Sequence, residues 1–401
     1  MMAGGFDGGH QLHLLQGGVE FFPALTAAMD AAQFEIRFET YIFHADASAE
    51  AVVAALVRAA QRGVSVSVLV DGVGTPAIPV TWQRLFAQAG VDFQTFAPLG
   101  RWGLLVPTGW RRLHRKLCAV DAVVAFCGGI NVLDDWVDPS LGALESPRFD
   151  FAVRIQGPLV ADVQLAMSQL WSRVRWKHQL EHLDFKSARR NWRALLPRLG
   201  KNGSQPIEDP GAQAALVLRD NLRNRNRIEK AYLKAIASAR HEVLIANAYF
   251  LPGGKLRRAL LHAARRGVRV RLLLQGRYEY FMQYHGARPV YGQLLAAGIE
   301  IYEYRVGFLH AKVAVVDGQW ATVGSSNLDP LSLLLAREAN VVVQDAGFAK
   351  TLRQRLHTAM RAHGTRLDAK TYAARPWHER LLDRVAFGMM RLGLFLTGKR
   401  Y

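Results

Sequence analysis

The sequence predicts an α/β protein made of two homologous halves, each an α/β sandwich, related by a pseudo-twofold axis with the active site at their interface. Three observations predict this. Apolar strand-like runs alternate with amphipathic helical stretches. Five sequence blocks recur once, in one order. A short polar motif, His-x-Lys, lies in the fourth block of each set.

The repeat pairs EIRFETYIF from Glu35 with EVLIANAYF from Glu242, and RGVSVSVLVDG from Arg62 with RGVRVRLLLQG from Arg266. It continues with AGVDFQTFAP from Ala89 against AGIEIYEYRV from Ala297, LHRKLCAVD from Leu113 against LHAKVAVVD from Leu309, and GGIN from Gly128 against GSSN from Gly324. The offsets are 207, 204, 208, 196 and 196 residues, too regular for chance. In each half an amphipathic helix (residues 21–32 and 227–239) leads into a β-rich run. A second helix (48–61 and 255–265) ends at an Arg-Gly stop signal. An apolar strand, VSVSVLV or VRVRLLL, comes next, then a helix, a short strand and the LHxK strand. The domain reading is a first half at 1–186, a connector at 187–209, a second half at 210–365 and a basic amphipathic C-terminal segment at 366–401.

Composition sets the outer limits. The chain has 401 residues, half of them hydrophobic and 21% charged, which excludes general disorder and a disulfide-stapled miniprotein. Lys plus Arg exceed Asp plus Glu by 51 − 33 = 18, which favours an anionic partner: nucleic acid, acidic lipid or a phosphorylated substrate. The two cysteines, Cys118 and Cys127, allow one bridge at most and read as buried thiols; they cannot make a Cys-rich zinc site. No apolar run reaches the ~20 residues of a spanning helix. The N-terminus lacks the layout of a secretion signal.

The chemistry resides in His114-Arg-Lys116 with Asp121, followed by Gly128-Gly129-Ile-Asn131, and in His310-Ala-Lys312 with Asp317, followed by Gly324-Ser325-Ser326-Asn327. Residues two apart on a strand share a face, so each His projects with its Lys. Two such strands meeting at the interface gather two imidazoles, two ammoniums and two amides. That set can cleave a phosphate ester without a metal: one His attacks phosphorus, the other protonates the leaving oxygen, and Lys116, Lys312, Asn131, Asn327 and Ser325 hold the phosphate oxygens.

The paired HxKxxxxD motifs with GGxN or GSxN resemble the phospholipase D superfamily, and within it the bacterial cardiolipin synthases. The narrower likeness is carried by LLQGGVEFFPAL at 14–25, ETYIFHAD at 39–46, NAYFLPG at 247–253 and RPWHERLLDRVAFGMMRLGLFLTGKRY at the C-terminus. The resemblance implies a ping-pong transfer through a covalent phosphohistidine, with His114 as nucleophile and His310 as general acid and then base. The near symmetry of the halves leaves that order to the resemblance alone. It also implies an acid beyond each motif that holds the His. The candidates are Asp150 and Glu338, 36 and 28 residues after their histidines. Asp121 and Asp317 are grouped with the catalytic set as motif residues, although a turn hydrogen bond accounts for them equally well. Gly128, Gly129 and Gly324 suit a tight turn near phosphate, and Gly129 departs from the pattern where the second half has Ser325. Glu39 and Asn247, near matching positions of the repeat, are candidate contacts to an acceptor's head-group hydroxyls.

Three flanking segments bear on substrate. Residues 98–115 mix Trp102, Leu104, Leu105, Val106 and Trp110 with Arg101, Arg111, Arg112 and Arg115, which suits a water–lipid boundary. Residues 275–293 interleave tyrosines with Arg277 and Arg288, open to a lipid channel or to stacked nucleic-acid bases. Residues 378–395 have helical apolar spacing with basic flanks, which fits either an acidic membrane surface or docking on the protein's own core.

The expectation is therefore a cardiolipin synthase that moves a phosphatidyl group from phosphatidylglycerol to a second phosphatidylglycerol and releases glycerol. It would need no cofactor and no metal, and would sit peripherally on the cytoplasmic face of the bacterial inner membrane. Its partner would be an anionic phospholipid membrane surface, not nucleic acid. The competing expectation is a phosphodiesterase of the same superfamily, acting on DNA or hydrolysing phospholipid to phosphatidic acid.

Overall fold

A computed structural model describes residues 7–98, 111–139, 142–181, 211–220, 224–277, 281–329 and 336–396. The connector at 187–209 and most of the amphiphilic stretch at 98–115 lie outside them.

The first half contains β1 (Asp7–Gln16), α1 (Gly17–Asp30), β2 (Glu35–Thr40), α2 (Ala47–Gln61), β3 (Ser65–Asp71), α3 (Val80–Ala89) and β4 (Asp92–Phe96). It continues with β5 (Arg112–Leu113), β6 (Lys116–Val120), β7 (Val124–Gly128), a two-strand ribbon β8 (Val137–Asp138) and β9 (Gly142–Ala143), β10 (Phe151–Gln156) and α4 (Leu159–Glu181). The second half repeats the plan. It contains β11 (Ala212–Arg219), α5 (Arg227–Ser238), β12 (Glu242–Asn247), α6 (Gly254–Arg265), β13 (Arg269–Gln275), α7 (Phe281–Ala296), β14 (Glu300–Tyr304), β15 (Lys312–Val316), β16 (Trp320–Gly324) and β17 (Ala336–Gln344). It closes with α8 (Ala346–His363), β18 (Gly364–Arg366), α9 (Ala369–Ala373) and α10 (Trp377–Leu396).

Among the described residues the main sheet runs β18-β14-β13-β12-β15-β16-β17-β11-β1-β10-β7-β6-β2-β3-β4, with β5 pairing off the path onto β17. Apart from β18, the order on one side of the β11–β1 junction repeats on the other. β1 and β11 pair antiparallel, which places the pseudo-twofold axis between them. In each half three strands are parallel (β2-β3-β4 and β12-β13-β14), and the His-x-Lys strand joins antiparallel to the first of them.

The period of two splits each central strand between two cores. Leu117 and Ala119 of β6, with Val313 and Val315 of β15, enter one cluster shared by both halves. Their neighbours Cys118 and Val120 face the helices of the first half, and Ala314 and Val316 those of the second. Strand β6 is buried throughout, as is β15, so the sequence reads as an apolar run there and not as an alternation. Both cysteines are buried and unbridged. Burial pushes the Cys127 thiol up to about 12.

Candidate active site

His114 and His310 do not lie on regular strand, contrary to the period-of-two expectation. Each sits two residues ahead of its strand, in the break before Lys116 and Lys312. The break is held by the opposite half. The His114 N–H donates to the Arg337 carbonyl at 3.0 Å, and the His310 N–H to the Phe149 carbonyl at 3.0 Å. Arg337 and Phe149 immediately precede Glu338 and Asp150.

That backbone docking fixes the carboxylates. His114 Nδ1 lies 3.0 Å from Glu338, and His310 Nδ1 lies 2.6 Å from Asp150 Oδ2. Each imidazole is therefore held by the acid of the other half, not by the acid that follows it in its own half. An ionised carboxylate only accepts, so the proton resides on Nδ1 and Nε2 carries the free lone pair. The lysines fold back beside the rings: Lys116 Nζ donates to the His114 carbonyl at 2.7 Å, and Lys312 Nζ donates to the His310 carbonyl.

The two pairs differ electrostatically. Burial lowers the His114 imidazole from its usual range, against the pull of Glu338. Burial, followed by Lys312 and Lys116, sends His310 well below it. Burial pushes Asp150 up to about 6, against Lys312. Glu338 is buried too, yet His114, Lys116 and the Ser325 hydroxyl bring it below the ordinary carboxylate range. Lys116 is pushed down to about 7 by burial, with Lys312 adding to the effect.

Other expected site residues take different places. Asp121 accepts the backbone N–H groups of Gln33, Phe34 and Glu35 at 2.7, 2.8 and 2.7 Å. Asp317 accepts those of Arg240, His241 and Glu242 at 2.8 Å each. Both stand past the far end of the strand that begins at the motif lysine, about 15 Å from it at strand rise. Both have left-handed φ, 52° and 51°. Grouping them with the catalytic residues is corrected: they tie a turn to the start of the neighbouring strand.

Ser325 is also reassigned from phosphate binding. Its hydroxyl donates to Glu338 at 2.5 Å and accepts the Ala339 N–H at 3.1 Å, so it buttresses the acid behind His114. The departure at Gly129 has a steric cause, because a Cβ there would overlap the Asp150 carboxylate. Gly128 is excluded from a side chain by the Ala152 backbone of its neighbouring strand, 2.5 Å from where a Cβ would sit.

Glu39 is corrected as a head-group contact. It is buried and gripped by Arg115 at 2.5 and 2.9 Å, which also removes Arg115 from an exposed lip. Asn247 is fully buried opposite Lys312; its Oδ1 accepts the Leu328 N–H at 3.1 Å, while its Nδ2 has no hydrogen-bond partner among the described residues. Asn131 accepts the Ile42 N–H at 3.2 Å, and the Asn327 Oδ1 has no partner among the described residues.

Tyr41 escaped the sequence reading. Its ring stands 4.9 Å from that of His114, with the Lys116 ammonium 5.3 Å from its centroid. It lies inside the quoted ETYIFHAD block, and its repeat counterpart is Ala248, a one-sided aromatic that the aligned repeats display.

In the 275–293 segment, Arg288 is buried against Glu303 at 2.9 Å and Tyr291 is buried beside it, so those two are packing residues of α7 and offer no stacking face to bases. Tyr278 and Tyr280 lie outside the described residues. A groove of about 920 Å³ approaches the catalytic pairs only through Phe149, the residue before Asp150; its lining includes none of the catalytic side chains. Phe149, whose carbonyl holds His310, forms one wall, and Phe22, Ala51, Trp136 and Tyr304 line others.

The comparisons agree in direction. The family profile described as cardiolipin synthase, PLD-like domain, matches residues 25–140 and 232–360. The chain is 40% identical over 383 residues to cardiolipin synthase B of Escherichia coli (strain K12), covering 96% of this chain and 88% of that protein. It is 31% identical over 351 residues to cardiolipin synthase A of Pseudomonas putida, covering 87% and 68%. A crystal structure of phosphatidylserine synthase from Haemophilus influenzae Rd KW20 superposes with TM-score 0.65 at 15% identity, over 96% of this chain and 93% of that one, a likeness of fold.

Proposed function

The chain belongs to the phospholipase D-like family of cardiolipin synthases, and on that premise we propose how its residues carry out a phosphatidyl transfer between two phosphatidylglycerol molecules. The observation that carries the reading is the pair of crossed His–carboxylate contacts, His114–Glu338 and His310–Asp150, with a lysine beside each ring.

His114 Nε2 attacks the phosphorus of the first phosphatidylglycerol. The P–O bond to the glycerol head group breaks, and the His310 Nε2 proton passes to the departing oxygen, releasing glycerol. In the second step His310 takes the proton from the terminal hydroxyl of another phosphatidylglycerol. That oxygen attacks phosphorus, the P–N bond to His114 breaks, and cardiolipin leaves with His310 protonated again. Glu338, ionised and braced by Ser325, holds the Nδ1 proton of His114 and enriches the attacking Nε2. The unpartnered Nδ2 of Asn247 is a donor for a phosphate or acceptor oxygen.

Burial, then Lys312 and Lys116, oppose the charged form of His310 and favour its neutral form before substrate binds. The phosphodiester anion supplies the opposite charge, so protonation of the general acid follows substrate binding. Water in place of the second lipid would yield phosphatidic acid, so the second step depends on excluding water. Among the described residues no helix is long and apolar enough to cross a membrane. The proposal places the protein peripherally on the cytoplasmic face, drawn to anionic lipid by its excess of basic residues.

The test is lipid mass spectrometry after incubating the protein with phosphatidylglycerol vesicles, beside a His114→Ala control. Cardiolipin with free glycerol, absent from the control, is the expected result. Phosphatidic acid alone would replace the transferase by a hydrolase.

A further inference from the structure

The C-terminal helix α10 has two opposed faces with different fates. Asp383, Ala386 and Met390 are buried against α7. The Asp383 carboxylate takes His285 Nδ1 at 2.8 Å and Arg375 at 3.0 Å. Gly286 of α7 permits the approach, because a Cβ there would overlap the Met390 side chain.

On the other side Trp377, Leu381, Val385, Met389 and Leu392 are exposed, Trp377 at 74% and Leu392 at 59%. At about 100° per residue these five fall within about 120° of one another, nearly opposite the docked face. Arg380, Arg384 and Arg391, all exposed, line one border of the stripe. A row of large apolar side chains on the outward face of a docked helix is unusual unless something covers it.

We propose that this stripe seats α10 in the headgroup–acyl boundary of an anionic phospholipid bilayer, so that the helix binds the protein with one face and the membrane with the other. The inference rests on the phospholipid reading of the active site. Trp and aliphatics beside an arginine row are the side chains an interfacial helix uses. A second copy is the poorer occupant: it would bring two arginine borders together on chains that each carry a net charge of +18. Position agrees. α10 packs on α7, with Asp383 and Met390 against His285 and Gly286, near the start of α7. That start follows β13, whose last residue, Gln275, accepts the N–H of Leu309 beside His310 at 3.3 Å. The middle of α10 is thereby tied, through the start of α7, to the end of β13 that touches the site.

The test uses the full chain with Leu381, Val385, Met389 and Leu392 all changed to Gln, leaving the docked face intact. Co-sedimentation with phosphatidylglycerol-containing vesicles should weaken by about tenfold or more, while thermal unfolding stays that of the wild type. Changing Arg380, Arg384 and Arg391 to Gln should weaken binding to anionic vesicles and leave phosphatidylcholine vesicles unaffected. Unchanged sedimentation of the folded Gln variant would overturn the proposal. So would a wild-type dimer that the same substitutions convert to monomer, which would assign the stripe to a second copy. Sedimentation needs no turnover, so a wild type that binds through the stripe but makes no cardiolipin would refute only the catalytic reading.

Discussion

His310 Nδ1 stands 2.6 Å from the carboxylate of Asp150, a residue of the other half of the chain and 160 positions away. His114 repeats the relationship with Glu338, across 224 positions. Neither half supplies both members of either catalytic imidazole–carboxylate pair. The site therefore exists only when the shared core between the two halves has formed, and damage to that core is damage to catalysis.

Glu338→Gln keeps the shape of the side chain and removes its charge. Without an ionised acceptor, His114 loses its fixed tautomer and much of its nucleophilic character. Turnover should fall by roughly 10²–10⁴-fold, as for other carboxylates that orient a catalytic His. The check is steady-state rate together with rapid quenching in alkaline denaturant, which preserves the acid-labile phosphohistidine; it should form more slowly and not merely accumulate less.

Glycine at 129 is required by Asp150. Gly129→Ser, which copies the second half's Ser325, should push the Asp150 carboxylate off His310, because the new Cβ occupies its place. Activity should drop at least tenfold or so with modest loss of stability, since a displaced catalytic contact of even 1 Å is costly. Equal activity in the variant, measured on phosphatidylglycerol vesicles, would contradict this account.

The pH dependence has a definite sign. In the free enzyme Asp150, at about 6, gains a proton as pH falls, and His310 loses its acceptor. Lys116, at about 7, loses its charge as pH rises, and the grip on phosphate weakens. The profile of kcat/KM should be a bell with its maximum between these two values. Bound phosphate raises both groups, so the kcat profile should be displaced to higher pH. Initial rates across the neutral range, at saturating and at low substrate, separate the two.

Asp317→Ala removes the acceptor of three backbone N–H groups at the start of β12 and places Ala at a left-handed φ. The expected cost is about 1–3 kcal/mol of stability. Activity per folded molecule should be nearly unchanged, because the carboxylate is remote from the imidazoles. Denaturant unfolding and active-site titration together test the assignment.

We propose that the groove beside Phe149 takes an acyl chain of the substrate, which predicts chain-length selectivity. Ala51→Trp projects a ring into it from the exposed side of α2 without entering the core. KM for long-chain phosphatidylglycerol should rise by about tenfold, roughly the effect of losing one or two methylene contacts in a pocket. A short-chain soluble analogue should be turned over as before.

The sequence by itself determined the twofold plan, the α/β class and the identity of both His-x-Lys sets, because these are local patterns repeated at one spacing. The family resemblance implies an acid for each His, and Asp150 and Glu338, each before an apolar strand, are the candidates for it. What only the tertiary structure decided is who touches whom. In one dimension Asp150 follows His114, but the β1–β11 junction turns the halves so that it meets His310. The same holds for Glu39, whose buried partner Arg115 is 76 positions away, and for Ser325, whose hydroxyl is spent on an acid. Asp121 and Asp317 look catalytic in a motif because the motif records spacing, whereas the direction of a strand decides which of its ends reaches the site. Period and propensity are properties of neighbours along the chain. Hydrogen bonds across an interface depend on how two folded halves dock, and that is written in the shape of their common core.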